Sequence, residues 1–424
     1  MRKQQRKKKS NFIKPFCVTL LVVVTIGLFA IFSFLWIIEP ARARDTSHFQ
    51  LTTKKLEQSV TSPEVTEEEE QERIEEILHV NDRYTNILND PYYMEQNNIF
   101  AKDAGDPSQV SIAFAGDILF DTNYAIMSKV LQSGSITGGI APDLINEMKS
   151  ADIMVLNNEF PYSDRGTPTP EKQFTFRAKP GAVSYLGEMG VDLVSLANNH
   201  AYDYGEQAFL DTMDILREAG ITYMGAGRDL NEARRPVYYI INNMKIAFVA
   251  ATQIERLDNP DTRGATETSA GVFRCWNGAN LLETVREAEE NSDFVIVFLH
   301  WGTENTETID WAQEKQAPEV VEAGADLIIG AHPHCLQPVS MIDGVPVVYS
   351  LGNFWFNSKT VDTGMIKATL DENGLQSLQF VPCLQSGCTT SLVQGEEKRR
   401  ILDHLREISD VQIDEEGYII RRQG

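Results

Sequence analysis

Short apolar runs alternate with amphipathic helical patterns from about residue 110 to residue 350, and this alternation restricts the fold more than any other feature. The runs predicted as strands are residues 110–115, 152–156, 192–196, 246–250, 294–299, 327–329 and 345–350. The clearest predicted helices are residues 205–219, 279–291 and 311–323. Strands that alternate with helices are typical of a largely parallel sheet with helices packed against it. The sequence therefore predicts an α/β fold.

The N-terminus has the pattern of a membrane anchor. Residues 1–14 carry seven basic side chains and no acidic one, and residues 16–38 contain no charge. At about 1.5 Å per residue, the uncharged run is long enough to cross a hydrocarbon core of about 30 Å. We predict a cytoplasmic basic tip at 1–14, a transmembrane signal anchor at 15–38 and an extracellular remainder of the chain. The alternative is a signal peptide cleaved near Ala41-Arg42-Ala43.

Residues 39–105 are polar and weakly patterned, and we predict that they form an acidic stalk. Four consecutive glutamates occupy positions 67–70, and Ile74, Ile77 and Leu78 follow at helical spacing. That spacing indicates an amphipathic helix that packs on the domain or on a partner, and a solvated spacer is the alternative. The folded domain is predicted at residues 106–410, followed by a C-terminal tail at 411–424.

Charge and cysteine content exclude two classes of site. The chain of 424 residues has a net charge of −23, so we expect it to repel nucleic acid and anionic polymers at long range and to concentrate cations, and simple solubility at a charged cell surface is the alternative. Its five cysteines include no CxxC pair, which argues against a thiolate metal site. Cys383 and Cys388 are close enough in sequence to form a disulfide in an oxidising compartment, and two free thiols are the alternative.

Side chains that can bind metal stand where the predicted strands end. Asp117 and Glu159 follow the first and second strands. Asn199 and His200 follow the third strand, and His300 follows the fifth. Ligands bind beyond the carboxyl ends of parallel strands, and carboxylate, amide and imidazole groups are suitable ligands for a divalent metal. The sequence therefore predicts a metal-dependent hydrolase, or a protein descended from one.

The strongest single signal is the loop Gly330-Ala331-His332-Pro333-His334 after the sixth predicted strand. Its two imidazoles are separated by one proline, so both can address one metal ion or two adjacent ions. Asp203 lies three residues after His200 and can orient that imidazole. The alternatives are structural: a core histidine at His300, and turn or cap roles for the asparagines.

Seven short motifs follow one another between residues 110 and 356. They are Gly116-Asp117, Asn157-Asn158-Glu159, Asn198-Asn199-His200, Gly225-Ala226-Gly227-Arg228, His300-Trp301-Gly302, Gly330-Ala331-His332-Pro333-His334 and Ser350-Leu351-Gly352-Asn353-Phe354. In this order they resemble the CapA family, the capsule-synthesis proteins associated with poly-γ-glutamate. CapA-like domains in turn resemble the calcineurin-like metallophosphoesterases. This resemblance implies a four-layer α-β-β-α sandwich.

The same resemblance implies a cofactor of one or two divalent ions, either manganese, zinc or iron. Asp117 and His334 would hold one ion. Asn199, His300 and His332 would hold the second, with Glu159 bridging both. His200 would protonate the leaving group, with Asp203 beside it. Two ions about 3.5–4 Å apart can activate a water molecule and neutralise charge in a transition state.

Three positions depart from these patterns. Leu119 stands where the phosphoesterase pattern has a histidine, which removes a ligand from one metal position. Glu159 stands where an aspartate is usual, and this longer side chain changes the metal spacing. Asn158 replaces the middle residue of the Asn-Leu-Glu motif of the CapA family. We therefore expect one bound ion more than two.

Two further residues are predicted to bind substrate. Arg177, in Phe174-Thr175-Phe176-Arg177, offers a forked donor for a carboxylate or a phosphate, and a surface ion pair is the alternative. Asn353, after the last predicted strand, can place a polar group near the cleft.

Three functions remain open from the sequence. The first is an accessory protein of poly-γ-glutamate synthesis or export, anchored in the cell membrane and acting outside on that polymer or another envelope polymer. The second is an independent envelope metallohydrolase that cleaves a phosphoester or an amide. The third is a scaffold without turnover that binds membrane synthase or ligase subunits. The presence of His200 argues mildly against the third, because a structural metal site needs no proton donor.

Overall fold

The computed structural model of the chain describes residues 83–254 and 262–420. The basic tip, the predicted anchor at 15–38 and most of the predicted stalk lie outside the described residues. Within the described ranges, no helix combines the length and the apolar character needed to cross a membrane.

Nineteen strands occur in the described ranges. In chain order they are β1 (Ile99–Ala101), β2 (Val110–Ile118), β3 (Ile153–Asn158), β4 (Leu193–Ser195), β5 (Thr222–Met224), β6 (Ala226–Gly227), β7 (Val237–Ile241), β8 (Met244–Thr252), β9 (Gly271–Val272), β10 (Phe294–His300), β11 (Leu327–Ala331), β12 (Val339–Ile342), β13 (Val345–Val348), β14 (Asn353–Trp355), β15 (Val361–Asp371), β16 (Gly374–Ser386), β17 (Thr389–Leu392), β18 (Gln412–Ile413) and β19 (Ile419–Ile420).

Ten α-helices occur in the same ranges, together with three short 3₁₀ turns at Ala125–Met127, Ile136–Gly138 and Pro180–Val183. The helices are α1 (Thr85–Leu88), α2 (Pro91–Gln96), α3 (Ser128–Ser133), α4 (Pro142–Lys149), α5 (Ser184–Met189), α6 (Gly205–Glu218), α7 (Leu230–Arg234), α8 (Ala279–Glu290), α9 (Trp311–Glu322) and α10 (Gly395–Ile408).

The strands form two large mixed sheets. The seven-stranded sheet has the order β1-β7-β8-β10-β11-β13-β12, and the eight-stranded sheet has the order β17-β16-β15-β2-β3-β4-β5 with β14 paired to β2. The central strands β8, β10, β11 and β13 are parallel to one another, and so are β2, β3, β4 and β5. Their carboxyl ends therefore lie at one edge of each sheet.

Three apolar cores place the two sheets face to face between helices. The inner core joins both sheets, because Phe114 of β2 lies in it with Phe248 of β8 and Phe298 of β10. The first outer core lies on the other face of the eight-stranded sheet, where side chains of α6 such as Phe209 are buried. The second outer core lies on the other face of the seven-stranded sheet and includes Val285 of α8. Three cores between successive layers give an α-β-β-α arrangement.

Side-chain alternation along single strands produces these layers. In β2, Phe114 points into the inner core, whereas its neighbours Ala113 and Ala115 belong to the first outer core. In β10, Phe298 belongs to the inner core and Leu299 to the second outer core. Strands covered on both faces need continuous apolar runs, and this is the texture that the sequence shows.

The predicted α/β class is confirmed, and each of the seven predicted strands and three predicted helices is present within a few residues of its expected bounds. The sheets are mixed, because antiparallel strands extend both parallel centres. The antiparallel pairs β15–β16 and β15–β2 account for much of the eight-stranded sheet.

The folded region extends beyond the predicted domain at both ends. Residues 99–101, assigned to the stalk from the sequence, form β1 and pair with β7. Ile99 is buried there, which explains why this short segment joins the sheet. In the predicted tail, β18 and β19 form an antiparallel pair, and Val411 and Ile413 are buried in the inner core.

Cys383 and Cys388, for which the sequence left two alternatives, are both free and buried. Cys383 lies on β16 opposite Leu392 of β17, and Cys388 precedes β17. Burial raises the pKa of the Cys383 thiol well above its usual range.

Gly116 and Gly352 bring the two parts of the sheet edge into close contact. A Cβ atom at position 116 would lie 1.9 Å from the carbonyl oxygen of Gly352, and that oxygen accepts a hydrogen bond from the Asp117 N–H at 3.1 Å. The atoms on both sides of this contact belong to the backbone, so no flexible side chain can move aside to make room.

We expect Gly116→Ala to lower the free energy of unfolding by about 3 kcal/mol, because backbone must move to admit the methyl group. The matched control is Gly187→Ala in α5, where a Cβ meets no atom within 4 Å. That change should raise the free energy of unfolding by about 0.5–1 kcal/mol through lower backbone entropy of the unfolded chain. Urea unfolding followed by circular dichroism measures both, and equal midpoints would contradict this account.

Candidate metal centre

Both sheets contribute to one cluster of polar side chains beyond their parallel strands. Asp117 lies near the end of β2, and Glu159 directly follows β3. His300 ends β10, and His332 and His334 follow β11. The loops thus bring the carboxylates of the eight-stranded sheet against the imidazoles of the seven-stranded sheet. Two groups of potential ligand atoms, each within 4.8 Å of one another, result: Asp117, Glu159 and His300, and Glu159, His332 and His334.

Glu159 belongs to both groups, and one of its two carboxylate oxygens has no hydrogen bond. Its side chain is fully buried, and Oε2 accepts a hydrogen bond from Asn157 Nδ2 at 3.3 Å. Oε1 has no hydrogen-bond partner and lies 3.6 Å from His300 Nε2. Burial raises the pKa of Glu159 well above its usual range, and the charge of Asp117 raises it further. A buried carboxylate oxygen without a donor is costly, and a cation there would satisfy it.

His300 and His332 lie on the other side of Glu159. His300 Nε2 is 2.9 Å from Asn199 Oδ1 and 3.1 Å from His332 Nδ1. Burial and the neighbouring imidazoles lower the pKa of both histidines well below the usual range. Neutral imidazoles have the lone pairs that metal ligation requires.

His334 lies against Asp117 at the other end of the cluster. Its Nδ1 is 3.4 Å from Asp117 Oδ2 and 2.8 Å from Asn353 Oδ1. Burial lowers the pKa of His334, but the hydrogen bond and charge of Asp117 outweigh burial, so the pKa is raised overall. The other carboxylate oxygen of Asp117 accepts a hydrogen bond from Asn157 Nδ2 at 2.7 Å.

The two ligand groups cut across the two sets that the phosphoesterase resemblance implied, because one joins Asp117 with His300 and the other joins His332 with His334. Glu159, the predicted bridging residue, belongs to both groups. The donor set consists of carboxylate, amide and neutral imidazole groups, and its central carboxylate oxygen lacks a partner. The residues present therefore fit one or two divalent ions. The roles of the individual residues stay predictions.

The loop that carries two of the histidines has a strained backbone. His332 and His334 have φ angles of 98° and 60°, a region that non-glycine residues seldom adopt. The carbonyl oxygen of the intervening Pro333 accepts a hydrogen bond from the Asn305 N–H at 2.7 Å. Strain of this kind is found where surrounding contacts hold a functional geometry.

His200 is paired with Asp203, the carboxylate that the sequence spacing indicated. His200 Nδ1 is 2.7 Å from Asp203 Oδ2, and both side chains are buried. Burial lowers the pKa of His200, and the charge of Asp203 offsets part of this effect. The pair adjoins the cluster because the neighbouring residue, Asn199, contacts His300.

Arg177 and Asn353, the two predicted substrate residues, lie in different settings. Asn353 is buried beside His334 as part of the cluster. The Arg177 guanidinium lies 4.2 Å over the ring of Tyr204, and its backbone N–H donates to Asp121 Oδ2 at 2.8 Å. Within the described part of the chain, Arg177 makes no ion pair. The alternative of a surface ion pair is therefore not what the structure contains.

Sequence reasoning missed Lys172 and gave no role to Asn157 or Asn198. The Lys172 ammonium group lies 2.6 Å from Asp203 Oδ1, and its side chain is only 4% exposed. Asn198 Nδ2 donates to Asn157 Oδ1 at 3.0 Å, which connects the ends of β3 and β4. The asparagines stood in recognised motifs, whereas a lysine in a polar loop gives no sign of burial.

Leu119, which stands in place of a ligand, points away from the cluster. Its side chain is buried in the first outer core, and its N–H donates to the Trp355 carbonyl oxygen at 3.0 Å. The position therefore faces apolar neighbours such as Phe120 and supplies nothing to the cluster.

Sequence comparisons with known proteins agree with the motifs. Residues 111–358 match the family described as "Bacterial capsule synthesis protein PGA_cap". The chain is 30% identical over 311 residues to "Capsule biosynthesis protein CapA" of Bacillus anthracis, covering 70% of this chain and 73% of that protein. It is 27% identical over 281 residues to "PGA biosynthesis protein CapA" of Bacillus subtilis (strain 168), covering 64% and 71%. A hypothetical protein from Thermus thermophilus aligns in structure with a TM-score of 0.39 and 13% identity, covering 65% of this chain and 100% of that one.

Restoring the histidine of the phosphoesterase pattern should harm this chain. We expect Leu119→His to lower the free energy of unfolding by about 2–4 kcal/mol, because an imidazole replaces leucine in an apolar core. The control, Leu119→Met, conserves volume and should cost less than about 1.5 kcal/mol. Urea unfolding with and without Mn²⁺ measures both, and a Leu119→His variant that Mn²⁺ stabilises more than the wild type would contradict the placement of this side chain.

Proposed function

Because this chain belongs to the PGA_cap family of bacterial capsule synthesis proteins, we propose that it is an accessory protein of capsule synthesis with a metal-dependent hydrolase-type site. Its polymer is poly-γ-glutamate or a related anionic envelope polymer. The relatives that support this proposal are named as capsule or PGA biosynthesis proteins.

The observation that carries the hydrolase proposal is the unpartnered oxygen of Glu159. It lies within a cluster of two carboxylates and three imidazoles, all drawn from strand ends of two sheets. Removing such a group from water without a compensating partner costs several kcal/mol. A cluster with only a structural role would leave this cost uncompensated. A bound divalent cation would account for the burial of Glu159 and for the neutral imidazoles of His300 and His332 together.

The side chains divide into holding and proton-transfer groups. Asp117 and His334 would hold one ion, and Asn199, His300 and His332 the other, with Glu159 shared. When bound, the ions would activate a water molecule and neutralise negative charge at the reacting group. His200 would donate a proton to the leaving group, while Asp203 fixes its ring.

Arg177 supports an anionic substrate. In a chain with a net charge of −23, a guanidinium group that pairs with no carboxylate in the described ranges is a natural site for a substrate carboxylate. The Tyr204 ring packs against the guanidinium, with its centroid 4.2 Å from Arg177 Cζ. This arrangement fits repeated carboxylates along a polymer.

We further propose that residues 15–38 anchor the protein in the cell membrane with the domain outside. The support is the uncharged run at 16–38 and the basic flank before it. Such an anchor would keep the site near membrane synthase or ligase subunits that produce the polymer.

Metal retention tests the site. The purified chain is loaded with Mn²⁺ or Zn²⁺, dialysed and analysed by mass spectrometry for metal content. We expect the wild type to retain about one or two ions and the double variant His332→Ala/His334→Ala to lose them, because it lacks two of the three imidazoles in the cluster. The matched control is His404→Ala, which removes a histidine of α10 that pairs with Glu307 and should not change metal content.

A second step tests turnover with the loaded chain. Poly-γ-glutamate and bis(p-nitrophenyl) phosphate are offered as substrates, and loss of activity in His200→Ala with metal content unchanged would support the proton-transfer role. If the wild type, the control and the double variant are all folded and metal-free, the hydrolase proposal fails and a scaffold without turnover takes its place.

Arg177 is tested by polymer binding. We expect Arg177→Ala to raise the Kd for a fluorescently labelled γ-glutamate oligomer about tenfold, since a charge-assisted hydrogen bond is lost. The control is Arg400→Ala, whose guanidinium already pairs with Asp362 and Glu397. Fluorescence anisotropy measures both variants, and equal Kd values would contradict a role for Arg177 in polymer binding.

A further inference from the structure

Asp203 is a buried carboxylate with hydrogen-bonding groups beside Oδ2 and a cation beside Oδ1. Oδ2 accepts from the Phe176 N–H at 2.7 Å and lies 2.7 Å from His200 Nδ1. Oδ1 lies 2.6 Å from the Lys172 ammonium group. The Asp203 side chain is 0% exposed and that of Lys172 is 4% exposed, so the pair neutralises its charges away from water. Buried ion pairs of this kind require good geometry from both partners.

Lys172 also contacts the other end of the same turn. Its Nζ donates to the carbonyl oxygen of Asn199, four residues before Asp203. One ammonium group therefore ties together the two residues that flank His200 in the turn. Asn199 is at the same time in contact with His300 through its side chain. The position of Lys172 thus links the proton-transfer pair to the metal cluster.

The loop that carries Lys172 encloses His200 from one side. The Phe176 ring lies 4.3 Å from the His200 ring, centroid to centroid. Thr169 donates its N–H and its hydroxyl to the Asp203 carbonyl oxygen at 2.8 and 3.0 Å. Backbone, ring and ammonium contacts from one loop all converge on residues 199–203. A loop that served only to cover the surface would not place its lysine in the interior.

We propose that Lys172 is a positioning residue, whose ammonium group holds Asp203 and the Asn199 carbonyl so that Asp203 accepts the His200 Nδ1–H and Nε2 is the nitrogen left for proton transfer. The inference rests on the proposed function, because it takes His200 as the proton donor. It adds a third member to the pair of His200 and Asp203, and it assigns a purpose to a lysine that the sequence motifs do not include.

The test follows the His200 Nδ1 proton in the full-length chain labelled with ¹⁵N-histidine. The proton is assigned by its absence in His200→Gln, and its exchange with water is measured by NMR. We expect Lys172→Met and Lys172→Gln to accelerate exchange about ten- to a hundredfold, because the hydrogen bond to a correctly held carboxylate weakens. Lys172→Arg keeps a cation and should restore slow exchange.

The matched control is Lys102→Met, which removes another lysine–aspartate ion pair, with Asp192, outside the cluster. It should leave the His200 proton unchanged even if it lowers stability. Should Lys172→Met not fold, Lys172→Gln decides, since its amide still reaches polar neighbours. A folded Lys172→Met or Lys172→Gln with the exchange rate of the wild type would overturn the inference and leave Lys172 a structural residue.

A parallel measurement separates this inference from the proposed function. Metal content and turnover of bis(p-nitrophenyl) phosphate are recorded for the same variants. A wild type without metal or turnover, combined with fast exchange in Lys172→Met, would defeat the hydrolase proposal and support the positioning of His200. An active wild type whose kcat is unaffected by Lys172→Gln, with KM also unchanged, would support the hydrolase proposal and defeat the role of Lys172.

Discussion

The crossing from β13 to β14 holds the two sheets at the separation on which the cluster depends. β13 belongs to the seven-stranded sheet and β14 pairs with β2 of the eight-stranded sheet, so the chain changes layers within residues 349–352. Gly352 presents its carbonyl oxygen to the Asp117 N–H, in a space that a side chain at position 116 would fill. Because this contact joins backbone atoms with no side chain between them, the two sheet ends approach closely. The carboxylates of one sheet and the imidazoles of the other therefore come close enough to bind the same metal ion.

Electrostatic balance inside the cluster follows from that arrangement. The two carboxylates of Asp117 and Glu159 are buried together. Of the imidazoles that face them, His300 and His332 are neutral because burial lowers the pKa of each. The pKa of His334 is raised, which favours its protonated form. Beside them, Asp203 is neutralised by Lys172. A cation bound in the metal half of the site would favour the ionised form of Glu159, whose pKa is raised, whereas the proton-transfer half contains the Asp203–Lys172 ion pair. The two halves meet at adjacent residues, Asn199 and His200.

The sequence predicted the parts of this structure that depend on local pattern. Apolar runs located the parallel strands, and the polar residues after them located the cluster, because side chains at strand ends share one edge. The long antiparallel pair β15–β16 was missed, since its half-buried alternating residues do not form an apolar run. Lys172 was missed for a different reason: its burial depends on Asp203 and Asn199, which are brought to it by the fold. No local pattern records such a contact. The placement of Leu119 in a core was likewise beyond the motif, which shows only that a histidine is missing.

Free thiols lie in two different layers of the fold, so each thiol can report when its own layer separates from the sheet. Cys275 lies in the second outer core, and Cys383 lies in the first outer core on the far side of the molecule. Burial raises the pKa of Cys275 to about 12, and within the described ranges none of the cysteines is cross-linked. An alkylating reagent can then reach each thiol only when its own layer separates from the sheet beneath it. The rates of modification at the two positions would report whether the outer helices of this sandwich detach together or one layer at a time.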